Sequence, residues 1–127
     1  MGGPMAGSYR DLTVWKRVRA FVVGVYRATE SFPRQEMFGL TAQMRSAALS
    51  VPANVAEGQA RRSSPDFIRF LRIALGSLAE LETYLDIAHA LRYLSAEDRH
   101  ALLAESDEIT KMLHGLIASL RADDAPS

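Results

Sequence analysis

The residues that could bind a metal or transfer a proton include two acid–histidine pairs with helical spacing, Glu97-x-x-His100 and Asp86-x-x-His89. A dinuclear site in a helical bundle needs two such pairs that face one core. Relative to the apolar seam of residues 102–113, Glu97 and His100 point into solvent, which leaves His89 without a second inward pair. We therefore expect no metal site and no cofactor.

Residues for nucleophilic catalysis are equally sparse. The sequence has no cysteine, which excludes disulfides, thiol nucleophiles and cysteine-ligated metals. Ser77 follows a glycine inside a helical pattern rather than at a strand-to-helix turn, and no histidine stands at helical spacing from it. There is no glycine-rich phosphate loop in the sequence. We expect a protein that is not an enzyme; a metal-binding bundle or an enzyme is the competing class.

The charged residues suggest binding instead. Fifteen Lys and Arg balance fifteen Asp and Glu, yet residues 1–72 carry eleven basic and five acidic residues, and residues 73–127 carry four and ten. The candidate contacts for RNA or DNA are Arg61, Arg62, Arg69, Arg72, Lys16, Arg17 and Arg27. Against this interpretation, the two halves could neutralise each other across neighbouring helices, and no aromatic residue is interleaved to stack bases.

The elements that must position these residues are helices, because the apolar residues recur every three or four positions. The pattern predicts helix 1 from Leu12 to about Pro33, helix 2 from Leu40 to Gly58, helix 3 from Ser64 to about Tyr93 and helix 4 from Ser95 onwards. Gly58 is expected to end helix 2 in a left-handed conformation, and Ser64 is expected to cap helix 3. Ser95 with Asp98 predicts a capping box at helix 4.

Four such helices with short connections predict an all-α, up-down-up-down antiparallel four-helix bundle. The predicted domain covers residues 9–121, between a flexible lead at 1–8 and a frayed acidic tail at 122–127. No apolar run approaches the roughly 20 residues of a membrane span, and no secretion signal is recognisable. We expect a cytoplasmic protein that does not enter a membrane.

Pro52 lies inside the apolar pattern of helix 2. A proline there removes one backbone hydrogen bond, which predicts a kink near Ala48. The alternative is two shorter helices, the second capped by Ser50.

Helix 3 is apolar on a second face, formed by Phe70, Ile73, Tyr84, Ile87 and Leu91. A single bundle would leave this face partly exposed to solvent, so we expect copies of the chain to associate through it. On helix 1, the small residues Ala20 and Gly24 would allow a second backbone to approach closely. The alternative is that helix 3 is simply central in the monomer.

Polar residues accompany this second face. Helix 2 carries them at helical spacing, and helix 3 adds two within its apolar face: Gln43, Ser50, Asn54 and Glu57, then Ser77 and Glu80. A buried carboxylate at position 80 would need a donor from Asn54, Ser50, Arg45 or Arg62. We interpret the set as a polar lock that fixes helix register or subunit pairing; a binding site is the alternative.

Several segments together resemble a known family. They are Tyr9-Arg-Asp-Leu12 with Trp15, Phe32-Pro33 with Glu36, Gly39-Leu-Thr41 with Gln43-Met-Arg45, Ser50-Val-Pro-Ala-Asn54-Val-Ala-Glu57-Gly58, and Ala74-Leu-Gly76-Ser77-Leu-Ala-Glu80-Leu-Glu82. Over residues 9–120 the chain resembles the bacterial four-helix-bundle family encoded in intervening sequences of 23S ribosomal RNA genes. The accessory protein of diversity-generating retroelements is a relative.

The resemblance implies a cytosolic homo-oligomer, a ring of five bundles in known members, without established enzymatic activity. In the retroelement relatives the ring is basic and binds nucleic acid and the reverse transcriptase. This chain departs from them because its charge is zero overall, and sequence-independent affinity depends on the number of phosphates neutralised. The expected partners are therefore other copies of the chain, RNA or DNA at the basic half, or another protein for which the bundle is a scaffold.

Overall fold

The computed structural model describes residues 12–124, and its regular structure is helical throughout. The four α-helices are α1 (Thr13–Thr29), α2 (Leu40–Ala60), α3 (Ser64–Ala90) and α4 (Ala96–Asp124). A 3-10 turn, Arg34–Glu36, lies between α1 and α2. No strand occurs between residues 12 and 124, so the predicted all-α class is confirmed. The predicted lead at 1–8 and the last three residues of the tail lie outside the described range.

Each helix packs against the next one in sequence, and α4 closes the bundle against α1. Pairs near the connections bring the end of one helix beside the start of the next: Thr29 with Arg45, Gly58 with Phe67, and Asp86 with Arg99. Midway along α2 and α3, Ser50 contacts Ser77, as antiparallel helices require. Within residues 12–124, no helix combines the length and low polarity of a membrane span.

The core contains one apolar stripe from each helix. Its fully buried large side chains include Val18, Val25, Met44, Val51, Phe67, Leu71, Leu78, Leu81, Leu85, Ile109, Leu113 and Leu120. The helical period of the apolar residues predicts this set, but it is less exact at the margins of the core. In α1, Val14 and Phe21 are buried and Trp15 is half-buried; in α4, Ile117 is buried and Leu116 is half-buried.

Pro52 does not divide α2, which is one continuous helix of 21 residues. The alternative of two shorter helices is therefore wrong. The prediction for Gly58 is also wrong, because α2 continues to Ala60 and Gly58 is a buried helical residue. A Cβ atom at Gly58 would lie 2.7 Å from Phe67 Cδ1 and 2.9 Å from Phe70 Cβ. This glycine is required by the close approach of α2 and α3.

The helix ends differ from prediction where neighbouring residues could perform the same role. Ser63, not Ser64, caps α3, since its Oγ accepts the Asp66 backbone N–H at 3.3 Å. Ser95 caps α4 as predicted, accepting the Asp98 N–H at 3.0 Å. Helix α4 continues to Asp124, three residues beyond the predicted bundle limit, because residues 116–125 contain no glycine or proline.

Helix α3 ends at Ala90, three residues earlier than predicted. Arg92 has a positive φ of 65°, a left-handed conformation that usually selects glycine. The backbone N–H groups of Arg92 and Tyr93 donate to the carbonyls of His89 and Ala88 at 2.9 Å each. These two bonds form a Schellman motif, which closes α3 and turns the chain towards α4.

The end of α1 is held by a side chain of α2. Arg45 Nε donates to Thr29 Oγ1 at 2.9 Å, and Arg45 Nη2 donates to the Tyr26 carbonyl at 3.2 Å. A cation at a helix C-terminus is favourable because the last carbonyls carry partial negative charge. Arg45 therefore stabilises the α1–α2 connection and does not reach Glu80.

Candidate functional site

The exposed apolar face predicted on α3 is present in the structure. We define the α3 stripe as the residues spaced alternately by three and four along this helix: Phe70, Ile73, Ser77, Glu80, Tyr84, Ile87 and Leu91. Ile73, Ile87 and Leu91 expose 43%, 44% and 49% of their surface, while Phe70 and Tyr84 are half-buried. Within the described residues, the chain does not cover this stripe.

Three predicted lock residues form a hydrogen-bonded chain beside the stripe. Asn54 Nδ2 donates to the Ser50 carbonyl at 2.8 Å and to Ser50 Oγ at 3.0 Å. Ser50 Oγ and Ser77 Oγ lie 2.8 Å apart, so one of the two hydroxyls donates a hydrogen bond to the other. All three side chains are half-buried, so the chain links α2 to α3 at the border between core and surface.

Glu80 lies outside this hydrogen-bonded chain. It is exposed, and it makes no hydrogen bond or ion pair with the residues the structure describes. Within the single chain, Glu80 is not a buried carboxylate and none of the four expected donors reaches it, because this part of α3 faces outward. Gln43 and Glu57 are exposed as well, and Glu57 Oε1 pairs with Arg61 Nη2 at 2.8 Å.

The predicted cations divide between the two ends of the bundle. Arg61, Arg62, Arg69 and Arg72 surround the α2–α3 connection, and Lys16 and Arg17 lie at the same end because α1 and α2 are antiparallel. Arg27 lies near the opposite end, where it lines a cavity with Asp98 of α4.

Some of these cations already have acidic partners. Arg17 pairs with Glu105 at 3.2 Å, the one ion pair that joins a candidate cation to the acidic half of the chain within the described residues. Arg69 lies 3.9 Å from Asp66 of its own helix. Lys16, Arg62 and Arg72 are exposed without an ion pair to the described residues.

An aromatic ring does lie within the arginine cluster, contrary to the sequence interpretation. The guanidinium carbons of Arg61 and Arg69 lie 4.9 Å and 4.5 Å from the centroid of the Phe70 ring. These cation–π contacts cover the half-buried ring and hold the two guanidinium groups close together. Phe70 thereby connects the basic end of the bundle to the α3 stripe.

A groove runs between α1 and α4, on the side of the bundle opposite the α2–α3 contact. Two neighbouring cavities of about 320 and 300 Å³ share Gly24, Ala101 and Leu102 as lining residues. Ala20, predicted with Gly24 as a place of close approach, lines the second cavity. A third cavity of about 320 Å³ lies at the start of α1, against Met112 and Leu116 of α4.

The acid–histidine pairs are not brought together. Asp86 Oδ1 pairs with Arg99 Nη2 at 2.6 Å, and His89 Nδ1 donates to the Leu94 carbonyl at 3.0 Å. Glu97 and His100 are exposed. Among residues 12–124, no group of three or more metal-ligating side chains is found.

Sequence reasoning missed two features. Ser106 is fully buried in the α4 seam, and its hydroxyl donates to Glu82 Oε2 of α3 at 2.5 Å. The apolar seam of α4 has a seven-residue gap between Leu102 and Ile109, and the polar residue Ser106 fills the buried position within that gap. Phe38, in the α1–α2 connection, exposes 90% of its surface, and no periodic pattern marks it.

The geometry defines a class of protein: an antiparallel four-helix bundle with an exposed apolar stripe on one side and a groove on the other. The family model of the 23S rRNA-intervening sequence protein matches residues 10–115, so the chain belongs to this family. None of the curated proteins matches the chain.

A solved structure supports the same assignment. The chain is similar to a protein of unknown function from the S23 ribosomal protein family of Bacteroides thetaiotaomicron. The two are 28% identical with a TM-score of 0.74, over 83% of this chain and 98% of that chain.

Proposed function

We propose that the protein is a non-enzymatic, self-associating bundle whose copies dock through the α3 stripe. The observation that carries the proposal is the exposure of Ile73, Ile87 and Leu91 on one continuous helical face. Such a face is unfavourable in water, and burying it against another copy removes apolar surface from solvent. The family resemblance supports a closed homo-oligomer of five copies.

The hydrogen-bonded chain beside the stripe supports this role. It links α2 to α3 through Ser50 and Ser77, which supports a role in keeping the two helices in register. A partner therefore meets a rigid surface, and little conformational entropy is lost on association. Glu80 forms no ion pair within the described chain, so its charge can make docking selective for a surface that carries a cation.

Light scattering coupled to size-exclusion chromatography tests the proposal. The wild-type protein should have about five times the mass of the 14.0 kDa chain. Ile87→Glu should produce a folded monomer, because it adds a charge to the stripe without touching the core. Ala118→Glu, exposed on α4 outside the stripe and not among the residues that line the groove cavities, is the matched control and should assemble as wild type. A wild-type protein that stays monomeric at high concentration would refute self-association.

A second candidate function is RNA or DNA binding at the basic end. It is favoured by Lys16, Arg62 and Arg72, which are exposed without acidic partners among the described residues. Association would repeat this set in every copy, and repeated weak contacts increase avidity. The zero net charge of the chain limits the affinity of one copy.

Titration of fluorescent RNA at low and moderate salt tests this function. Arg72→Glu should weaken binding and make the salt dependence shallower by about one phosphate contact. Arg34→Glu, exposed at the opposite end of the bundle, should bind as wild type. Absence of binding at low salt, or undiminished binding after Arg61, Arg62, Arg69 and Arg72 all become Glu, would exclude the function.

A further inference from the structure

We infer that the α1–α4 groove of one copy receives the α3 stripe of the next copy. This inference rests on the proposed self-association and specifies the surface that covers the stripe. Three observations support it: the spacing of the groove cavities, the placement of three helical glycines, and the charges of Glu80 and Arg27.

The groove cavities match the stripe in spacing. Along α1 the three cavities are lined by residues 12–14, 17–24 and 24–28, so their centres are separated by roughly 10 Å at 1.5 Å rise per residue. Stripe residues seven positions apart, such as Tyr84 and Leu91, are separated by about 10.5 Å. Successive apolar side chains of α3 can therefore enter successive cavities.

The helical glycines distinguish contacts within the chain from contacts between chains. A glycine inside a helix costs about 0.5 to 1 kcal/mol relative to alanine, so its presence needs a compensating contact. Gly58 has such a compensating contact within the chain, where it packs against Phe67 and Phe70. A Cβ at Gly76 or Gly115 would meet nothing within 4 Å, and one at Gly24 would make only an ordinary contact with Leu102 at 3.5 Å.

These three glycines lie on the two surfaces that we infer to meet. Gly76 adjoins Ile73 and Glu80 on the exposed side of α3, at helical spacing from both. Gly24 lines two of the groove cavities, and Gly115 is exposed three residues after Met112, which lines the third cavity. Glycine at a helix–helix crossing lets the two backbones come closer together, which accounts for all three positions.

The charges are complementary across the same contact. Glu80 has no partner within the described chain, and covering the stripe would bury its carboxylate at a large energetic cost unless a cation met it. Arg27 lines the groove together with Asp98; it is exposed and forms no ion pair with Asp98 or with any other described residue. Arg17, the other groove arginine, is already paired with Glu105. Arg27 is therefore the partner we assign to Glu80 of the neighbouring copy.

Stripe and groove are different surfaces on opposite sides of the bundle. A contact between them is heterologous, so every copy has one donor surface and one acceptor surface, and repetition closes a ring or extends a filament. A stripe-to-stripe contact would instead give a two-fold dimer, leave the cavities open and assign no role to Gly24 and Gly115.

Mixing two assembly-deficient variants tests the inference by light scattering. Ile73→Glu/Ile87→Glu disables the stripe, and Ala20→Glu/Ala101→Glu disables the groove at two exposed residues. We expect each variant alone to be monomeric with wild-type helicity. An equimolar mixture should give a dimer of twice the chain mass and nothing larger, because one intact stripe meets one intact groove.

A charge exchange tests the assigned pair. Glu80→Arg and Arg27→Glu should each weaken assembly at least about tenfold in Kd, and the double variant should recover most of the loss.

The variants of the mixing experiment separate the two proposals. If Ala20→Glu/Ala101→Glu assembles as wild type while Ile73→Glu/Ile87→Glu is monomeric, self-association stands and the groove is not the surface that receives the stripe. A monomeric wild type would overturn both proposals.

Discussion

Ser50 Oγ lies 2.8 Å from Ser77 Oγ, and this one contact joins α2 to α3 beside the exposed stripe. Asn54 orients Ser50 by donating to its hydroxyl oxygen at 3.0 Å. Because neither hydroxyl is fully exposed, each depends on the other for part of its hydrogen bonding. The contact is therefore a polar link between the two helices beside the stripe, in addition to their apolar packing.

Removing this contact should destabilise the fold by a modest and measurable amount. We expect Ser77→Ala and Ser50→Ala each to lower the free energy of unfolding by about 1 kcal/mol. The double variant should lose less than the sum, since the first substitution already removes the shared bond. Urea unfolding of the four proteins measures this coupling. Ser46→Ala, exposed on α2, is the control, and strictly additive losses would show that the hydroxyls do not interact.

Two glycines should respond to alanine in opposite ways. Gly58→Ala places a Cβ 2.7 Å from Phe67 Cδ1, so the helices must separate, and we expect a loss of about 1 to 3 kcal/mol. Gly76→Ala meets no atom within 4 Å and should raise the stability of the isolated chain by about 0.5 to 1 kcal/mol.

The same pair separates folding from assembly. Thermal unfolding should be measured in an Ile87→Glu background, which we expect to be monomeric, and association in the wild-type background. Gly76→Ala should then weaken association while it stabilises the monomer. Association at wild-type strength would mean that no backbone approaches Gly76 closely.

The helices and core could be predicted because burial imposes a period of three to four residues on the sequence. Helix ends were less certain, since Ser63 and Ser64 are both good caps and only the chain geometry selects Ser63. Arg92 gave no signal at all, because its left-handed conformation is set by the packing around it rather than by its type.

The candidate site shows a similar division. The spacing of Ile73 and Ile87 predicted an apolar face, and the structure shows that it is exposed. The ring contacts of Phe70 depend partly on Arg61, which follows the end of α2 and lies outside the helix that carries Phe70. Contacts between helices could not be read from a single helical pattern, which describes only the face that each residue occupies.

The conformation of Arg92 leads to a prediction about stability. A residue with a side chain pays about 1 kcal/mol to occupy the left-handed region, whereas glycine occupies it freely. We expect Arg92→Gly to raise the melting temperature by several degrees, as about 1 kcal/mol does in a domain of this size. Arg92→Ala, which keeps a Cβ atom, is the matched control. An equal rise in both variants would mean that loss of the charge, not relief of the backbone, is responsible.

Tyr93 leads to a prediction about pH. Its hydroxyl donates to Glu36 Oε2 at 3.1 Å, and this hydrogen bond, together with burial, raises the pKa of Tyr93 above 10.0. Glu36 Oε1 also accepts the Leu40 backbone N–H at 3.2 Å, so the carboxylate joins the start of α2 to the α3–α4 connection. In the unfolded chain the phenol ionises near pH 10, while the folded chain keeps its proton to higher pH.

The hydrogen bond should therefore make its full contribution to the free energy of unfolding below about pH 10. This contribution should be lost as the pH rises through the raised pKa of Tyr93. Urea midpoints at about pH 8 and pH 11 measure the fall. Tyr93→Phe should be less stable than wild type at the lower pH and should lose less on going to the higher one. Tyr26→Phe, which lies outside the stripe and whose hydroxyl bonds no described residue, is the matched control and should follow wild type. If wild type and Tyr93→Phe decline in parallel, the hydrogen bond to Glu36 does not favour the protonated phenol in the folded state.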